Sequence, residues 1–208
     1  MRLRDHEVLT FCADDAHGAP IMMKADELGI EPTAFIDEIN KNHQESLAKF
    51  GIEYTNYYST HSKENEALVS EIYLDAKSSG YIYKKEIEQC FDEEKQMFLA
   101  DRYVVGECPK CSAKNQYGDG CEECGATYSA TELINPKSSL SGTTPITKIS
   151  EHIFFDLEKA KDDLVNFLDN SSIQKPILGK LSEWIDGDLK SWDISRDAPY
   201  FGFQIPDE

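Results

Sequence analysis

The first 80 residues combine one short apolar run with three longer segments in which apolar residues recur at helical spacing. The run at 8–12 (VLTFC) is nearly continuous and contains β-branched and aromatic residues, which predicts a buried strand of an α/β sheet. The helical segments cover about 20–28, 32–49 and 63–79, and a glycine follows each of them. A strand that leads into helices in this way is half of a βαβ unit.

The helical spacing also predicts where individual side chains of these segments lie. His43 falls on the inward stripe of the second helix, so we expect a packed core histidine rather than a ligand. His61 precedes the third helix and is expected to belong to its N-terminal cap. Leu68, Ile72 and Ala76 recur at helical spacing, which predicts that they form the buried face of that helix.

The pattern changes after Gly80. Segments 81–87, 97–105 and 153–155 are typical of strands, and 136–147 is rich in Ser, Gly and Thr and is expected to form a loop or short hairpin strands. Two further amphipathic helices are predicted, one capped by Asp156 and one beginning at Pro176. The middle of the chain is therefore β-rich, in contrast to the α/β start.

Two adjacent aspartates follow the first predicted strand. Ligands of open α/β sheets bind outside the carboxyl ends of the strands, so Asp14 and Asp15 lie where a ligand would be. The alternative is that one of them caps the following helix and the other is simply solvated. Both interpretations stay open from the residues alone.

Four cysteines form two Cys-x-x-Cys pairs: Cys108 with Cys111, and Cys121 with Cys124. Two residues between the cysteines allow a tight turn to direct both sulfurs at one ion, and four thiolates complete a tetrahedral zinc shell. Because no position is left for water, we expect one structural zinc and no catalytic metal. Two disulfides or four unrelated thiols are the alternative.

Composition limits the partners and the compartment. A net charge of −18 over 208 residues argues against indiscriminate binding of nucleic acid by this chain, because phosphates are repelled on average. The charged start of the chain does not resemble a signal peptide, and no apolar run approaches the ~18 residues of a membrane helix. We therefore expect no membrane partner and a location in the reducing cytoplasm.

Three segments together resemble the bacterial methionyl-tRNA synthetases, which are class I aminoacyl-tRNA synthetases. They are FCADDAHG at 11–18, the two cysteine pairs, and WDISRDAPYFG at 192–202. The resemblance extends over essentially the whole chain, but the family's His-Ile-Gly-His-type and Lys-Met-Ser-Lys-Ser-type signatures do not occur in it. It therefore implies an internal fragment of such an enzyme.

The resemblance implies an α/β fold: a partial Rossmann-like nucleotide-binding half that carries an inserted, β-rich zinc-knuckle domain, the connective peptide domain, with flanking helices. The implied boundaries are 1–80 for the later part of the first catalytic half, 81–192 for the connective domain, and 193–208 for the return into the catalytic domain.

The resemblance also implies the chemistry. Members of the family activate methionine with ATP and Mg²⁺ to methionyl-adenylate and transfer the methionyl group to tRNA(Met). By similarity, Asp15 would bind the α-ammonium group of methionine and Arg196 would lie across the same cleft. Arg196 would pair with Asp15 in the empty site or take part in activation, whereas an ordinary salt bridge with Asp197 or Asp15 is the alternative. The fragment is expected to be inactive alone.

Two other classes of function are alternatives to a synthetase fragment. A free-standing zinc-ribbon module that binds protein or RNA would need neither Asp15 at a strand end nor a matching segment around Arg196. A zinc hydrolase is disfavoured because four thiolates leave no site for a water molecule.

Overall fold

The structure is a computed structural model and describes residues 4–187 and 189–208. The chain divides into two compact units. The first unit ends at Val69 and also contains Pro199–Gln204, and the second comprises Ser70–Ala198 and Ile205–Glu208. The mixed α/β class expected from the sequence is confirmed, with the elements β1–β9 and α1–α5 described below.

The first unit is a parallel strand pair with helices. Strand β1 (Phe11–Asp14) pairs in parallel with β2 (Asn56–Ser59), and the connection contains α1 (Ala19–Leu28) and α2 (Pro32–Lys49). Proline occupies the first turn of both helices, where its missing N–H has no intrahelical partner to lose. Helix α3 (Lys63–Ser78) follows β2 and continues past the division between the units.

The predicted first strand is real, but its position and its burial were wrong. It begins at Phe11 rather than Val8, and the Phe11 side chain is 67% exposed. The reason is its sheet, because within the described residues β1 pairs with β2 in a two-stranded sheet and has no further neighbouring strand. An apolar run predicts that a strand can be buried, and it does not specify which segment covers it.

The face predicted as buried on α3 was also wrong. Leu68 and Ile72 are 54% and 58% exposed, whereas Tyr73 is 8% exposed. The hydroxyl of Tyr73 donates to Glu208 at 2.9 Å. The helix therefore packs through the face that contains Tyr73. The apolar spacing did not predict this face, because tyrosine carries a polar hydroxyl and was not counted among the apolar residues.

The second unit is built on an antiparallel sheet with the strand order β4-β3-β8-β9. Its central pair is long: β3 (Ile82–Asp92) runs against β8 (Ile146–Phe155) from the pair Ile82–Phe155 to the pair Phe91–Ile146. The outer strands are β4 (Met97–Phe98) and β9 (Trp192–Asp193). Strand β9 brings the chain back onto this sheet, beside Phe154 and Phe155.

A smaller three-stranded sheet carries the cysteine pairs. Its order is β6-β5-β7, formed by β5 (Val104–Glu107), β6 (Gln116–Tyr117) and β7 (Ile134–Ser138). The single strand expected at 97–105 is instead two strands, because a 3-10 turn at Asp101–Tyr103 separates β4 from β5. Within the region 136–147, expected as a loop or short hairpin strands, residues 139–145 form a loop that joins the end of β7 to the start of β8.

Two helices complete the second unit. Helix α4 spans Lys161–Asp169 and α5 spans Lys175–Asp186, each near its predicted position. The Asp156 carboxylate accepts a hydrogen bond from the Lys159 N–H at 3.0 Å, in a turn before α4 rather than in the helix itself. Among residues 4–187 and 189–208, no helix is long and apolar enough to cross a membrane.

Candidate metal centre and candidate substrate site

The four cysteines of the two pairs converge on one point in the second unit. All four sulfurs lie within 4.8 Å of one another, with Cys108 Sγ 3.8 Å from Cys124 Sγ and Cys111 Sγ 3.6 Å from Cys121 Sγ. A tetrahedron with metal–sulfur bonds of about 2.3 Å has sulfur–sulfur edges of about 3.8 Å. The cysteines are free thiols, and these separations are far longer than the ~2.05 Å of a disulfide. The arrangement fits one tetrahedral zinc.

The two cysteine pairs repeat one backbone geometry. In each, the N–H of the first cysteine donates to the carbonyl five residues on: Cys108 to Ala113 at 2.8 Å and Cys121 to Ala126 at 2.9 Å. In each, the residue four positions after the first cysteine has positive φ, 61° at Ser112 and 71° at Gly125. The same turn therefore presents the two sulfurs of each pair.

Backbone N–H groups point at the sulfurs. Lys110 and Cys111 donate to Cys108 Sγ at 3.3 and 3.5 Å, and Cys124 donates to Cys121 Sγ at 3.4 Å. Desolvation raises the pKa of the Cys108 thiol, but the N–H groups of Cys111 and Lys110, followed by the Cys111 and Cys121 thiols, outweigh it and bring its pKa to about 7, whereas the pKa of Cys111 is raised to about 12. A thiolate is the form that binds a metal, and the turn of the first pair favours that form at Cys108.

Asp15 lies on a turn whose backbone is fixed on both sides. The carbonyl of Asp14 accepts the Thr60 N–H at 2.9 Å, and the Ala16 N–H donates to Thr60 Oγ1 at 2.8 Å. The side chain of Asp15 is exposed at the carboxyl end of β1. An exposed carboxylate on a fixed turn is a suitable acceptor for an ammonium group.

The neighbouring Asp14 is the centre of a network that the sequence did not reveal. Its carboxylate accepts hydrogen bonds from Tyr57 Oη at 2.5 Å, Asn40 Nδ2 at 2.6 Å and His43 Nδ1 at 2.8 Å. Desolvation would raise the pKa of Asp14, but the three hydrogen bonds, from Tyr57 first, lower it. His43 is therefore not a packed core histidine, since its side chain is 52% exposed and binds Asp14.

Two other histidines meet in the first unit. His17 Nε2 lies 2.8 Å from His61 Nδ1, so one ring donates to the other, and both rings contact Phe201 and Phe203. Desolvation, and then the neighbouring His61, lower the pKa of His17. His61 was expected in the cap of α3, but the cap is Ser62, whose Oγ accepts from the Asn65 N–H at 3.3 Å.

Arg196 belongs to the second unit, in the segment that follows β9. Its guanidinium is 3.6 Å from Asp193 Oδ1 and donates to the Ser195 carbonyl, and its side chain is 44% exposed. The carboxylate that it contacts is thus Asp193 and not the adjacent Asp197. Asp15 and Arg196 lie in different compact units.

Comparison with known proteins identifies the class. The family model described as "tRNA synthetases class I (M)" matches residues 1–208, and the chain therefore belongs to that family.

Two solved structures with the same fold are methionyl-tRNA synthetases of Mycobacterium tuberculosis bound to methionyl-adenylate. They have TM-scores of 0.65 and 0.64, are 15% identical, and cover 99% of this chain. The chain spans 36% of the length of those proteins. A ternary LeuRS–tRNA–LeuAMS complex of Agrobacterium radiobacter K84 also has a similar fold, with a TM-score of 0.50, 20% identity, and coverage of 87% of this chain and 20% of that one.

Proposed function

We propose that this chain is a section of a methionyl-tRNA synthetase that supplies the zinc-bearing connective domain and part of the methionine site. The observation that carries the proposal is the family match over residues 1–208. The structural relatives bound to methionyl-adenylate support methionine as the amino acid, ATP with Mg²⁺ as the activating substrate, and tRNA(Met) as the acceptor. A cytoplasmic location follows from that role.

In this proposal the second aspartate of the β1 turn binds the amino acid. Asp14 already accepts three hydrogen bonds, whereas the carboxylate of Asp15 is exposed beside it on a fixed backbone. Asp15 is therefore the free acceptor for the α-ammonium group of methionine. Arg196 would contribute positive charge from the WDISRDAPYFG segment during activation. The domain boundaries proposed from the resemblance are 1–80, 81–192 and 193–208.

The section is proposed to be inactive by itself. The two phosphate-stabilising signatures of the family are missing from its 208 residues, and loss of even one such donor typically lowers a rate by roughly 10²–10³. The zinc is proposed to be structural, because the four thiolates fill its shell. Class I synthetases act by positioning and electrostatic stabilisation, so the role of this section is to orient methionine.

Methionine-dependent ATP–pyrophosphate exchange in the complete synthetase tests the proposal. Asp15→Asn is expected to raise the KM for methionine roughly 10- to 100-fold, since a hydrogen bond to a charged group contributes about 1.5–3 kcal/mol. The KM for ATP should change little. Asp26→Asn, at an exposed position near the end of α1, is the matched control. An unchanged methionine KM in Asp15→Asn, or exchange by the isolated 208 residues, would overturn the assignment.

A further inference from the structure

One histidine of the second unit is buried among carboxylates that flank Arg196. His152 lies in the second half of β8, and its side chain is 1% exposed. Its Nδ1 is 2.6 Å from Asp193 Oδ2, and its Nε2 is 2.9 Å from Asp197 Oδ2. Asp193 precedes Arg196 by three residues and Asp197 follows it directly. The imidazole therefore bridges the two ends of the Arg196 segment, residues 193–197.

The contacts with two carboxylates favour a charged bridge. A carboxylate only accepts hydrogen bonds, so each ring nitrogen must carry a proton to bind its own aspartate. Desolvation lowers the pKa of His152, but the hydrogen bonds to Asp193 and Asp197 outweigh it and raise the pKa. An imidazolium between two carboxylates is thus the stable form.

The other strands contribute no competing carboxylate to this face among the described residues. The side chain opposite His152 on β3 is Lys85, and its ammonium lies over the Phe154 ring, 5.7 Å from the centroid. Gln89 Nε2 lies 3.0 Å from His152 Nε2, and since both atoms are donors when the ring is charged, the charged ring pairs with the Gln89 amide turned so that its oxygen faces Nε2. Two further charged groups lie nearby: Arg196, on the far side of Asp193, and Asp101 of the 3-10 turn, which interacts electrostatically with both Arg196 and Asp193.

The same contacts fix the backbone around Arg196. The Ile194 N–H donates to the Ile153 carbonyl at 2.9 Å, and the Ile153 N–H donates to Ser195 Oγ at 2.9 Å. Asp193 Oδ1 accepts from the Ser195 N–H at 3.1 Å, and Ser150 Oγ donates to Asp197. The backbone on both sides of Arg196 is thus bound to β8 or within the segment, and the Arg196 side chain, which is 44% exposed, contacts Asp193 from this fixed backbone.

We propose that His152 is a positioning residue for amino-acid activation: its imidazolium holds Asp193 and Asp197 and thereby sets the direction of Arg196. This inference rests on the proposed role of Arg196 in the methionine site. Stability alone is a poor explanation of the cluster, because a buried charged group is often replaceable by apolar residues without loss of stability. Defined geometry is what such a cluster provides.

The first arm of the test uses the 208-residue chain and does not depend on activity. Hydrogen exchange of the backbone amides at 193–197 is compared between the parent, His152→Gln and the control Glu151→Gln. The introduced glutamine is neutral and donates from a single nitrogen, so it does not replace the charged bridge between two separate ring nitrogens. Exchange at Ile194 and Ser195 is therefore expected to accelerate roughly tenfold or more while the cysteine turns stay protected. Glu151 is 59% exposed on the same strand, and its substitution should leave these amides unchanged. Asp197→Asn serves as a second variant if His152→Gln fails to fold, and it should have the same local effect.

The second arm is methionine-dependent exchange in the complete synthetase. His152→Gln is expected to lower kcat/KM for methionine roughly 10- to 100-fold, as a displaced positioning group does, with the KM for ATP unchanged. Its effect should be absent in an Arg196→Ala background, because His152 acts through Arg196.

Faster amide exchange with unchanged methionine kinetics would show a structural role only and would overturn the inference. Unchanged amides at 193–197 in both variants would also overturn it. Failure of the proposed function gives a different result, in which Arg196→Ala alone leaves the methionine kinetics intact.

Discussion

The hydroxyl of Tyr57 on β2 donates a hydrogen bond to the carboxylate of Asp14 on β1, at 2.5 Å. This contact joins the two parallel strands at the end where Asp15 is presented. The pKa of Tyr57 is raised, first by desolvation and then by this hydrogen bond to the Asp14 carboxylate. The turn of the candidate substrate site is therefore supported from the neighbouring strand.

Tyr57→Phe is expected to destabilise the first unit by about 1 kcal/mol, because one hydrogen bond to Asp14 is lost while two others remain. Urea unfolding at pH 7 measures this change. Tyr54→Phe is the matched control, since the hydroxyl of Tyr54 forms no hydrogen bond in the described part of the chain and its ring packs 5.5 Å from that of Tyr57. Equal stabilities of the two variants would contradict the role assigned to this hydrogen bond.

The Asp14 network shows a limit of reasoning from the sequence. The bounds of α2 were predicted correctly, because Pro32 and the apolar spacing define that helix locally. The partner of His43 was not predicted, because Asp14 lies 29 residues earlier and the two side chains meet only when β1 packs beside the helix. A histidine among apolar helix positions indicates burial, and the periodicity contains no information about a carboxylate from another element.

Removal of zinc is expected to unfold the small sheet of the second unit. A structural zinc site contributes on the order of 10 kcal/mol of folding free energy in small zinc peptides, and the thiolates would repel one another without the ion. Elemental analysis should find one zinc per chain, and thermal melts before and after chelation should differ strongly. Absence of metal together with an unchanged melt would contradict the site.

Single cysteine substitutions refine this test. Cys108→Ser and Cys121→Ser are expected to lower the zinc content and the thermal midpoint of the second unit, because each removes a buried ligand. Cys12→Ser is the control, since Cys12 is exposed on β1 and outside the cluster. Retention of the full transition in Cys108→Ser would argue against a structural ion.

Two glycines of the second unit should respond to alanine in opposite directions. A Cβ at Gly118 would lie 2.6 Å from the Cβ of Ala130 and 2.8 Å from the carbonyl oxygen of Asp101, so the backbone must shift. Gly118→Ala is expected to cost about 1–3 kcal/mol. Gly179 lies within α5 with no atom within 4 Å of its Cβ position, so Gly179→Ala should stabilise by about 0.5–1 kcal/mol. Urea unfolding of both zinc-loaded variants checks the sign of each change.

The two candidate sites differed in how far the sequence could predict them. The convergence of the four cysteines was predicted from the sequence, because they lie in two local turns joined by a short loop and the spacing itself encodes the geometry, whereas the zinc stays a prediction. The surroundings of Arg196 could not be predicted, because His152 precedes Asp193 by 41 residues and lies in a segment with an ordinary strand pattern. Its role depends on the pairing of β9 with β8, which apolar alternation does not specify.

The stability contributed by His152 should depend on pH in a defined direction. The pKa of His152 is raised in the folded protein, above the ~6.5 of an unfolded chain, so folding favours the protonated ring. The contribution is therefore fully present below about pH 6.5 and is lost as the pH rises through the folded-state pKa. The lowered pKa of Asp193 affects only the acid range, because that carboxylate is ionised throughout this interval.

Urea unfolding of the zinc-loaded parent and His152→Gln between pH 6 and 9 measures this dependence. The difference in the free energy of unfolding should be largest at pH 6 and decline with rising pH, whereas any effect of lost packing stays constant because Gln does not titrate. Changes in zinc affinity with pH act on both proteins and cancel in the difference. His6→Gln, at an exposed position, controls for the loss of a histidine in general. A difference that is flat from pH 6 to 9 would mean that His152 does not gain protons on folding, and the charged bridge to Asp193 and Asp197 would be wrong.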